Sequence, residues 1–388
     1  MKKKIIAIVK YSKFLYLIYY YVFSFILLVL RLFVKTDDKL ILFNSFGGKK
    51  YDDSPKELYE AILKDKRFVG FKYVWAFHEP EKFKIKGADV VKTDTLKYFI
   101  IALKARCWIT NSGIERGLKF KGKNTLYFNT WHGTPIKRMG TDVSETNKSF
   151  GTRGGAEIDV MCSQGDFETD VFSRVFNIPK NRFLCCGLPR NDKLVHFTED
   201  EKEAIKKRLG IPKEKIVILY APTFREYERD GSKNCVMAPP MVFSKWKKVL
   251  GEEYCLLFRA HYEVAKVMDI SEDGFVFNMS NYPVMDDLMI VSDVLISDYS
   301  SVFFDFSVMD KPMLHFTYDY GKYSKNRGMY FDIREQLDGG SDEDTVIDIL
   351  RNKKMDITKT IAFRNKYVNY YGNATKMAID YIIRKIGD

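Results

Sequence analysis

The sequence has few of the residues that build metal centres and redox sites. Six cysteines occur in 388 residues, none at metal-ligand spacing, and several fall inside predicted strands, which is typical of reduced, buried cytoplasmic thiols. No Walker loop, G-x-S-x-G nucleophile turn or zinc spacing occurs. The one D-x-D of note, at residues 342–344, opens a polar helix. A metal-dependent nucleotide-sugar site therefore has little support.

Acidic side chains are missing from residues 1–35, which hold seven basic ones. Of the 63 lysines and arginines in the chain, 56 remain for the other residues, against 51 acidic side chains. Most of the net charge of +12 therefore lies beside one apolar segment. An anionic membrane surface explains this placement better than nucleic acid does, so we expect no nucleic-acid partner.

The apolar segment, residues 14–30, is an uncharged run of Leu, Ile, Phe and Tyr. As a helix it reaches roughly 25 Å, at about 1.5 Å per residue. A signal peptide is disfavoured because a basic stretch follows and no small-residue cleavage site does. A transmembrane helix is a second interpretation, but the lysines before it would place the large domain outside the cell. We favour a monotopic anchor at residues 1–35, with tyrosines at the headgroup level.

From residue 39 onward, short apolar strands alternate with helical patterns, as in a parallel, doubly wound sheet. Strands are predicted at 39–46, 71–77, 89–91, 107–110, 125–130 and 158–162. After a helix at 198–209 a second set follows, at 216–220, 254–258, 275–277, 294–296 and 313–316. We therefore expect an α/β protein with two Rossmann-like domains, at 36–197 and 198–388. The C-terminal helices are expected to pack back on the first domain.

Two serines follow the predicted strand at 294–296. Ser300 and Ser301 lie where a helix should begin, because Val302 to Met309 is apolar on a helical period. Free backbone N–H groups and hydroxyls at a helix N-terminus suit an anion. A plain N-cap is the alternative role, and the more common one for an isolated pair of serines.

A histidine follows another predicted strand, in the motif TWHGTP at 130–135. Gly133 lets the backbone approach a ligand, Thr134 suits an N-cap, and Pro135 suits the first helical position. His132 is therefore placed at the carboxyl edge of the sheet, where an imidazole can take a proton near neutral pH. A local hydrogen bond that satisfies the turn is the alternative role.

An arginine and a second histidine end the strand at 254–258, in the motif RAH at 259–261. Arg259 and His261 share one face if the strand continues, and together they suit a phosphate. A solvated strand end explains them equally well. APTFR at 221–225 and GLPRND at 187–192 also end strands, whereas His78, His196 and His315 are expected to be structural.

Together, TWHGTP, APTFR, RAH and SDYSSVFFD at 297–305 resemble the CDP-glycerol glycerophosphotransferase family, the teichoic acid primases and polymerases of Gram-positive envelopes. The resemblance runs from about residue 40 to the C-terminus. It implies a glycosyltransferase-B-like fold whose two Rossmann-like domains face a cleft, the first for the acceptor and the second for the donor. It also implies no essential metal or other cofactor, and attachment to the cytoplasmic face of the cell membrane. The implied partners are CDP-glycerol or CDP-ribitol and an undecaprenyl-diphosphate-linked saccharide acceptor.

Carried over by motif, the resemblance implies two catalytic histidines. His132 would be the general base on the acceptor hydroxyl, and His261 with Arg259 would hold the pyrophosphate as CMP leaves. The two serines would bind a donor phosphate, and Arg190 with Thr223 and Phe224 would complete the donor pocket. The substrate-binding residues that the resemblance implies are Trp131, Gly133, Thr134, Pro135, Arg190, Thr223, Phe224, Arg259, Ser300, Ser301 and Asp305.

The size of the N-terminal region suggests how many units are added. Larger polymerases of the family carry a long extra N-terminal region, and here only the basic and apolar leader precedes the resemblance. This favours a primase or a single-addition enzyme. Two other functions stay open: a nucleotide-sugar glycosyltransferase of the same fold in capsule or wall synthesis, and a membrane-anchored assembly subunit without catalytic activity.

Overall fold

The structure is a computed structural model that describes residues 12–143, 157–225, 239–260 and 273–387. The chain divides into two compact units. Unit 1 comprises Met1–His132, Gly140–Asp192 and Asn373–Asp388, and unit 2 comprises Gly133–Met139 and Lys193–Gly372. Four of the seven basic residues expected beside the membrane, Lys2, Lys3, Lys4 and Lys10, lie outside the described residues, as do Cys235 and His261.

Unit 1 is built on a parallel sheet of seven strands in the order β3-β2-β1-β4-β5-β6-β7. The strands are β1 Asp37–Asn44, β2 Lys72–Phe77, β3 Asp89–Lys92, β4 Ala105–Thr110, β5 Leu126–Asn129, β6 Val160–Ser163 and β7 Phe183–Cys185. The order reverses between β1 and β4, which pair directly with Leu42 opposite Trp108. Ligands of open α/β sheets bind at the carboxyl edge beside such a switch point.

Helices cover both faces of this sheet. The helices of unit 1 are α1 Lys13–Phe33, α2 Asp53–Ile62, α3 Leu96–Lys104 and α4 Asp166–Phe176, with a last helix at the C-terminus. Because successive strand side chains point to opposite faces, β1 serves two cores. Ile41 and Phe43 pack in the cluster that contains α2, and Leu40 and Leu42 pack in the cluster that contains α1 and α3.

Helix α1 is long and apolar enough to cross a membrane by length and composition, with a mean hydropathy of 2.0 over Phe14–Phe33. One side of it packs on unit 1. The Ser24 Oγ accepts a hydrogen bond from the Lys119 backbone N–H at 2.9 Å, and the Arg31 guanidinium donates to the Lys121 carbonyl at 2.9 Å. Leu27 is buried in the core. The exposed large apolar side chains of helix α1 are Phe14, Leu15, Leu17, Ile18, Tyr21, Val22, Phe23, Phe25, Ile26, Val29, Leu32 and Phe33.

Unit 2 repeats the same plan with six parallel strands in the order β10-β9-β8-β11-β12-β13. The strands are β8 Ile216–Ala221, β9 Tyr254–Phe258, β10 Val276–Asn278, β11 Val294–Ser297, β12 Met313–Phe316 and β13 Asp338–Gly340. The helices between residues 192 and 367 are α5 Asp192–His196, α6 Glu199–Arg208, α7 Phe243–Leu250, α8 Met285–Val291, α9 Val302–Ser307, α10 Tyr320–Arg327, α11 Glu343–Arg351 and α12 Ile357–Tyr367. The order reverses between β8 and β11, which defines a second switch point.

Two parallel-sheet α/β domains are therefore present, and the predicted strands are found within a few residues of their expected bounds. The C-terminal helical region is interrupted at Gly372, whose φ is +83°. The helix beyond it, α13 Ala374–Ile386, belongs to unit 1. Its start is held there by Asp192, whose carboxylate accepts from the Ala374 and Thr375 backbone N–H groups at 2.9 and 2.7 Å.

Candidate active-site residues

His132 lies on a tight turn directly after β5, at the carboxyl edge of the unit 1 sheet. Its Nδ1 is 2.6 Å from the carbonyl oxygen of Asn111, the first residue after β4. A carbonyl only accepts, so Nδ1 carries the hydrogen and the Nε2 lone pair is left to accept a proton. The neighbouring Trp131 has a left-handed φ of +51°, and its backbone N–H donates to the Asn129 Oδ1 at 2.8 Å.

Aromatic rings surround the His132 imidazole. The Trp131 ring stacks on it at 4.2 Å between centroids, and the Phe46 ring lies at 5.6 Å. Burial lowers the pKa of His132 below its ordinary value, and the hydrogen bond to Asn111 and the charge of Asp53 oppose that effect. A buried imidazole whose pKa is lowered is neutral at cytoplasmic pH, which is the form that a general base requires.

Arg190 lies beside His132 and within unit 1. One terminal nitrogen of its guanidinium is 2.5 Å from an Asp53 carboxylate oxygen and donates to the His132 carbonyl oxygen at 3.0 Å. The sequence predicts Arg190 to bind the donor together with residues that the structure places in unit 2. In the structure its guanidinium contacts the turn that carries His132.

Three residues of this site were not predicted from the sequence: Phe46, Asp53 and Asn111. They follow β1 and β4, the strands on either side of the switch point. Helix α2 begins at Asp53 itself, and the Asp52 side chain accepts from the Asp53 N–H at 2.9 Å.

The segment after His132 also differs from the prediction. Thr134 and Pro135 were expected to begin a helix, but residues 133–139 are irregular. The backbone of this segment instead forms hydrogen bonds within unit 2, where the Tyr330 N–H donates to the Ile136 carbonyl at 2.9 Å. Thr134 is fully buried. Gly133 has a φ of +142°, which suits a residue without a side chain.

In unit 2, the residues after β8 and β11 meet at the second switch point. The Asp298 Oδ1 accepts from the Thr223 N–H at 2.9 Å and from the Tyr299 N–H at 2.7 Å. This carboxylate thus joins the motif APTFR to the motif SDYSSVFFD. Phe224 packs at the edge of the unit 2 core.

Arg225, the last residue of APTFR, is buried at the centre of this arrangement and is 1% exposed. Its guanidinium pairs with Asp298 at 2.8 Å and with Asp319, which follows β12, at 2.8 Å. Three tyrosine rings lie within 5.1 Å of it: Tyr299, Tyr318 and Tyr323. One guanidinium therefore braces the ends of three neighbouring strands.

Ser300 and Ser301 lie at the start of helix α9, as predicted. The Ser300 Oγ accepts from the Val302 N–H at 3.3 Å, and the Ser301 side chain makes no capping bond. The helix has only six residues, and Asp305 is buried in its middle. The structure thus brings Thr223, Ser300 and Ser301 to one edge of the unit 2 sheet.

Arg259 follows β9 in the same unit. Its guanidinium donates to the carbonyl of Met279 at 2.9 Å and also to that of Ser280. These contacts tie the end of β9 to the loop after β10. His261, the second predicted catalytic histidine, lies outside the described residues.

No group of three or more His, Cys, Asp or Glu side chains arranged to hold a metal ion is found within the part of the chain that the structure describes. The five cysteines in that part, Cys107, Cys162, Cys185, Cys186 and Cys255, carry free thiols.

Comparison with known proteins gives consistent matches over most of the chain. The model of the CDP-glycerol:poly(glycerophosphate) glycerophosphotransferase family matches residues 25–384. A teichoic acid poly(glycerol phosphate) polymerase of Staphylococcus epidermidis is 35% identical over 316 residues, which are 78% of this chain and 43% of that protein. A teichoic acid glycerol-phosphate transferase of Staphylococcus aureus is 34% identical over 322 residues, 77% of this chain and 79% of that protein.

A solved structure is similar over most of the chain. The wall teichoic acid polymerase TagF, in a variant soaked with CDPG, superposes with a TM-score of 0.80 at 31% identity. The match covers 91% of this chain and 90% of that one. The chain thus spans less than half of one polymerase relative but most of the transferase and of the solved TagF chain.

Proposed function

We propose, because the chain belongs to the CDP-glycerol:poly(glycerophosphate) glycerophosphotransferase family, that it transfers glycerol phosphate from CDP-glycerol to a hydroxyl group in teichoic acid synthesis and releases CMP. The observation that carries the proposal is the His132 turn. A neutral imidazole with a defined tautomer lies after β5 and is bonded to the residue after β4, so it is beside the switch point of the sheet, where ligands of this fold class bind.

In the proposed step, the acceptor oxygen attacks the phosphorus nearer the glycerol. A new P–O bond to the acceptor forms, and the bond from that phosphorus to the bridging oxygen breaks, so that oxygen leaves as part of CMP. The acceptor proton passes to the His132 Nε2. Phosphoryl transfer of this kind rests chiefly on positioning and on stabilising charge.

We assign the phosphate contacts of the donor to unit 2, by motif. Ser300 and Ser301 offer two hydroxyls at the strand edge, and Thr223 offers a third. Arg259 with His261 would stabilise the departing CMP, and Asp305 and Phe224 would complete the donor site. Trp131, Gly133, Thr134 and Pro135 belong to the acceptor side of the proposal. We also propose that the fold is glycosyltransferase-B-like.

The acceptor that we propose is an undecaprenyl-diphosphate-linked saccharide at the cytoplasmic face of the membrane. Helix α1 supports this assignment. One of its sides is committed to unit 1 through Ser24, Leu27 and Arg31, and the other presents a wide apolar surface. Such a helix suits a monotopic position at an anionic membrane surface, where it would keep the enzyme beside a lipid-linked substrate.

We propose a primase or single-addition enzyme rather than a polymerase, and the match over 79% of the length of a Staphylococcus aureus protein named a teichoic acid glycerol-phosphate transferase supports this. Polymer synthesis is the second candidate, and the similarity to the polymerase TagF favours it. Both use the same chemistry and differ in the product.

The test is CMP release with a lipid-linked disaccharide acceptor, with the products resolved by length. CDP-glycerol and CDP-ribitol are offered in parallel, and a UDP-sugar is offered in a third reaction in which UDP release is measured instead. We expect release with CDP-glycerol that depends on the acceptor, and a product lengthened by one unit. A ladder of products would establish the polymerase, and preference for CDP-ribitol would change the donor. Release from neither CDP-polyol would refute the proposed function.

A further inference from the structure

Asp53 has a backbone conformation that an aspartate adopts only at a cost. Its φ is +64°, in the left-handed region, which is sterically unfavourable for a residue that has a Cβ atom. A helix N-terminus does not require this, because Asp52 already provides the capping side chain. Such residues cluster where the surrounding structure holds them for function.

The Asp53 carboxylate is nearly buried, with its side chain 5% exposed. One oxygen accepts from the Ser54 N–H at 2.6 Å, and the other pairs with Arg190 at 2.5 Å. The Arg190 side chain is 12% exposed, and its backbone N–H donates to the Ser54 Oγ at 3.3 Å. The start of helix α2 and the turn after β7 are therefore joined by both side-chain and backbone bonds.

This ion pair contacts the proposed base, His132, through the backbone of that histidine. The Arg190 guanidinium donates to the carbonyl of His132 at 3.0 Å, while Asn111 holds the Nδ1 from the other side. The turn itself is strained at Trp131, with a φ of +51°, and the adjoining Phe46 has a φ of +48°. Three left-handed non-glycine residues thus surround one imidazole, and the His132 carbonyl is fixed by a charged donor.

We propose that Asp53 and Arg190 are positioning residues, which hold the His132 turn and balance each other's charge beside the imidazole. This rests on the proposed function, since it assigns the pair to the reaction of the His132 base. It also replaces the donor-binding role predicted for Arg190. The carboxylate and the guanidinium are engaged with each other and act on the substrate only through His132.

The charge balance gives the two residues opposite effects on the base. The charged groups that act on the imidazole are Asp53 on α2 and Arg190 after β7, while Phe46 and Trp131 offer aromatic rings and Asn111 a carbonyl. Asp53 raises the pKa of His132 and Arg190 lowers it. Loss of either charge leaves the other unbalanced, so the two losses move the titration of His132 in opposite directions.

The experiment compares Asp53→Asn and Arg190→Met with the wild type in the full chain. Asparagine tolerates the left-handed conformation and keeps the shape of the side chain. We expect kcat to fall on the order of 100-fold in both variants, as for a misplaced catalytic group, with the KM for CDP-glycerol little changed. The acidic limb of the pH profile should move to lower pH in Asp53→Asn and to higher pH in Arg190→Met.

The control is Asp65→Asn, which removes a carboxylate from a surface pair with Arg67 in the connection between α2 and β2, on the amino side of the sheet. It should leave kcat and the pH profile as in the wild type. A raised KM with unchanged kcat in Arg190→Met would overturn the proposal in favour of donor binding. Acidic limbs that do not move, or that move in the same direction, would also overturn it.

A second measurement separates this proposal from the proposed function. The NMR titration of the His132 ring, assigned by its loss in His132→Ala, needs no substrate. Opposite shifts of the His132 pKa in Asp53→Asn and Arg190→Met would support the positioning pair even if no CMP were released. An unchanged titration in both variants would overturn it even if the enzyme were active.

Discussion

Replacing Arg225 should weaken unit 2 far more than replacing any exposed arginine. Its guanidinium and the two carboxylates that it pairs with are all nearly buried, with side chains 1%, 1% and 7% exposed. Arg225→Met removes the cation and leaves Asp298 and Asp319 as buried, unbalanced charges. Breaking a buried pair in this way costs about 3–5 kcal/mol.

The loss of stability should first appear as local opening of the braced strands and only then as unfolding of the whole unit. Because the brace joins the ends of β8, β11 and β12, these strands should open more often than those of unit 1. A cost of 3–5 kcal/mol corresponds to a loss of roughly 10²- to 10⁴-fold in protection from hydrogen exchange, at about 1.4 kcal/mol per tenfold. Mass spectrometry of peptides that cover β8 and β11 measures it in the full-length protein, with unit 1 peptides as the internal reference.

The matched control is Arg334→Met in the same unit. Arg334 also pairs with an aspartate and lies over a tyrosine ring, Tyr320, but its side chain is 46% exposed. An exposed pair contributes about 0–1 kcal/mol. If Arg225→Met lowered protection no more than Arg334→Met does, Arg225 would not be the brace of these strand ends.

Three further predictions concern packing, pH and the membrane. Gly339→Ala should lower the urea midpoint of unit 2, because its φ is +154° and a Cβ would lie 2.0 Å from the His315 carbonyl oxygen; Gly321→Ala, with no atom within 4 Å, should not. Burial lowers the pKa of His315 to about 4, so as pH falls the unfolded state binds the proton first, and roughly 3 kcal/mol of folding stability should be lost between pH 6.5 and pH 4. Urea unfolding at both pH values should show a smaller loss of stability in His315→Gln than in the wild type. An equal loss in the two proteins would contradict this prediction. Phe25→Asp on the exposed side of α1 should reduce co-sedimentation with anionic vesicles, whereas Val69→Asp, at a position exposed elsewhere in unit 1, should not. Equal binding by both variants would contradict a role of α1 in membrane binding.

Much of the fold could be predicted because the strands of a parallel sheet are buried on both faces and read as apolar runs. Strand β13 was not predicted, because it consists of Asp338, Gly339 and Gly340, which are residue types that are rare in strands. Its pairing with β12, with Leu314 opposite Asp338, comes from tertiary structure. The predicted helix at Thr134 failed for a similar reason, since pairing within unit 2 satisfies that segment and overrides its local preference.

The site was predictable one residue at a time but not as a group. His132 and the two serines follow strands and precede glycine or an apolar helical run, so their positions at a sheet edge could be inferred. Phe46, Asp53 and Asn111 could not, because only the strand order β1-β4-β5 brings the segments after those strands together. Arg190 was assigned to the donor from its motif, and no local pattern indicates its pairing with Asp53, 137 residues earlier.

The central claim is that His132 is the base of a CDP-glycerol-dependent transfer. The direct measurement is acceptor-dependent CMP release by the wild type and by His132→Ala. His78→Ala is the control, because the His78 imidazole lies after β2 and bonds to the Thr93 hydroxyl after β3, at 2.6 Å. We expect release by the wild type and by His78→Ala, and a loss of at least about 100-fold in His132→Ala. Undiminished release by His132→Ala would contradict it.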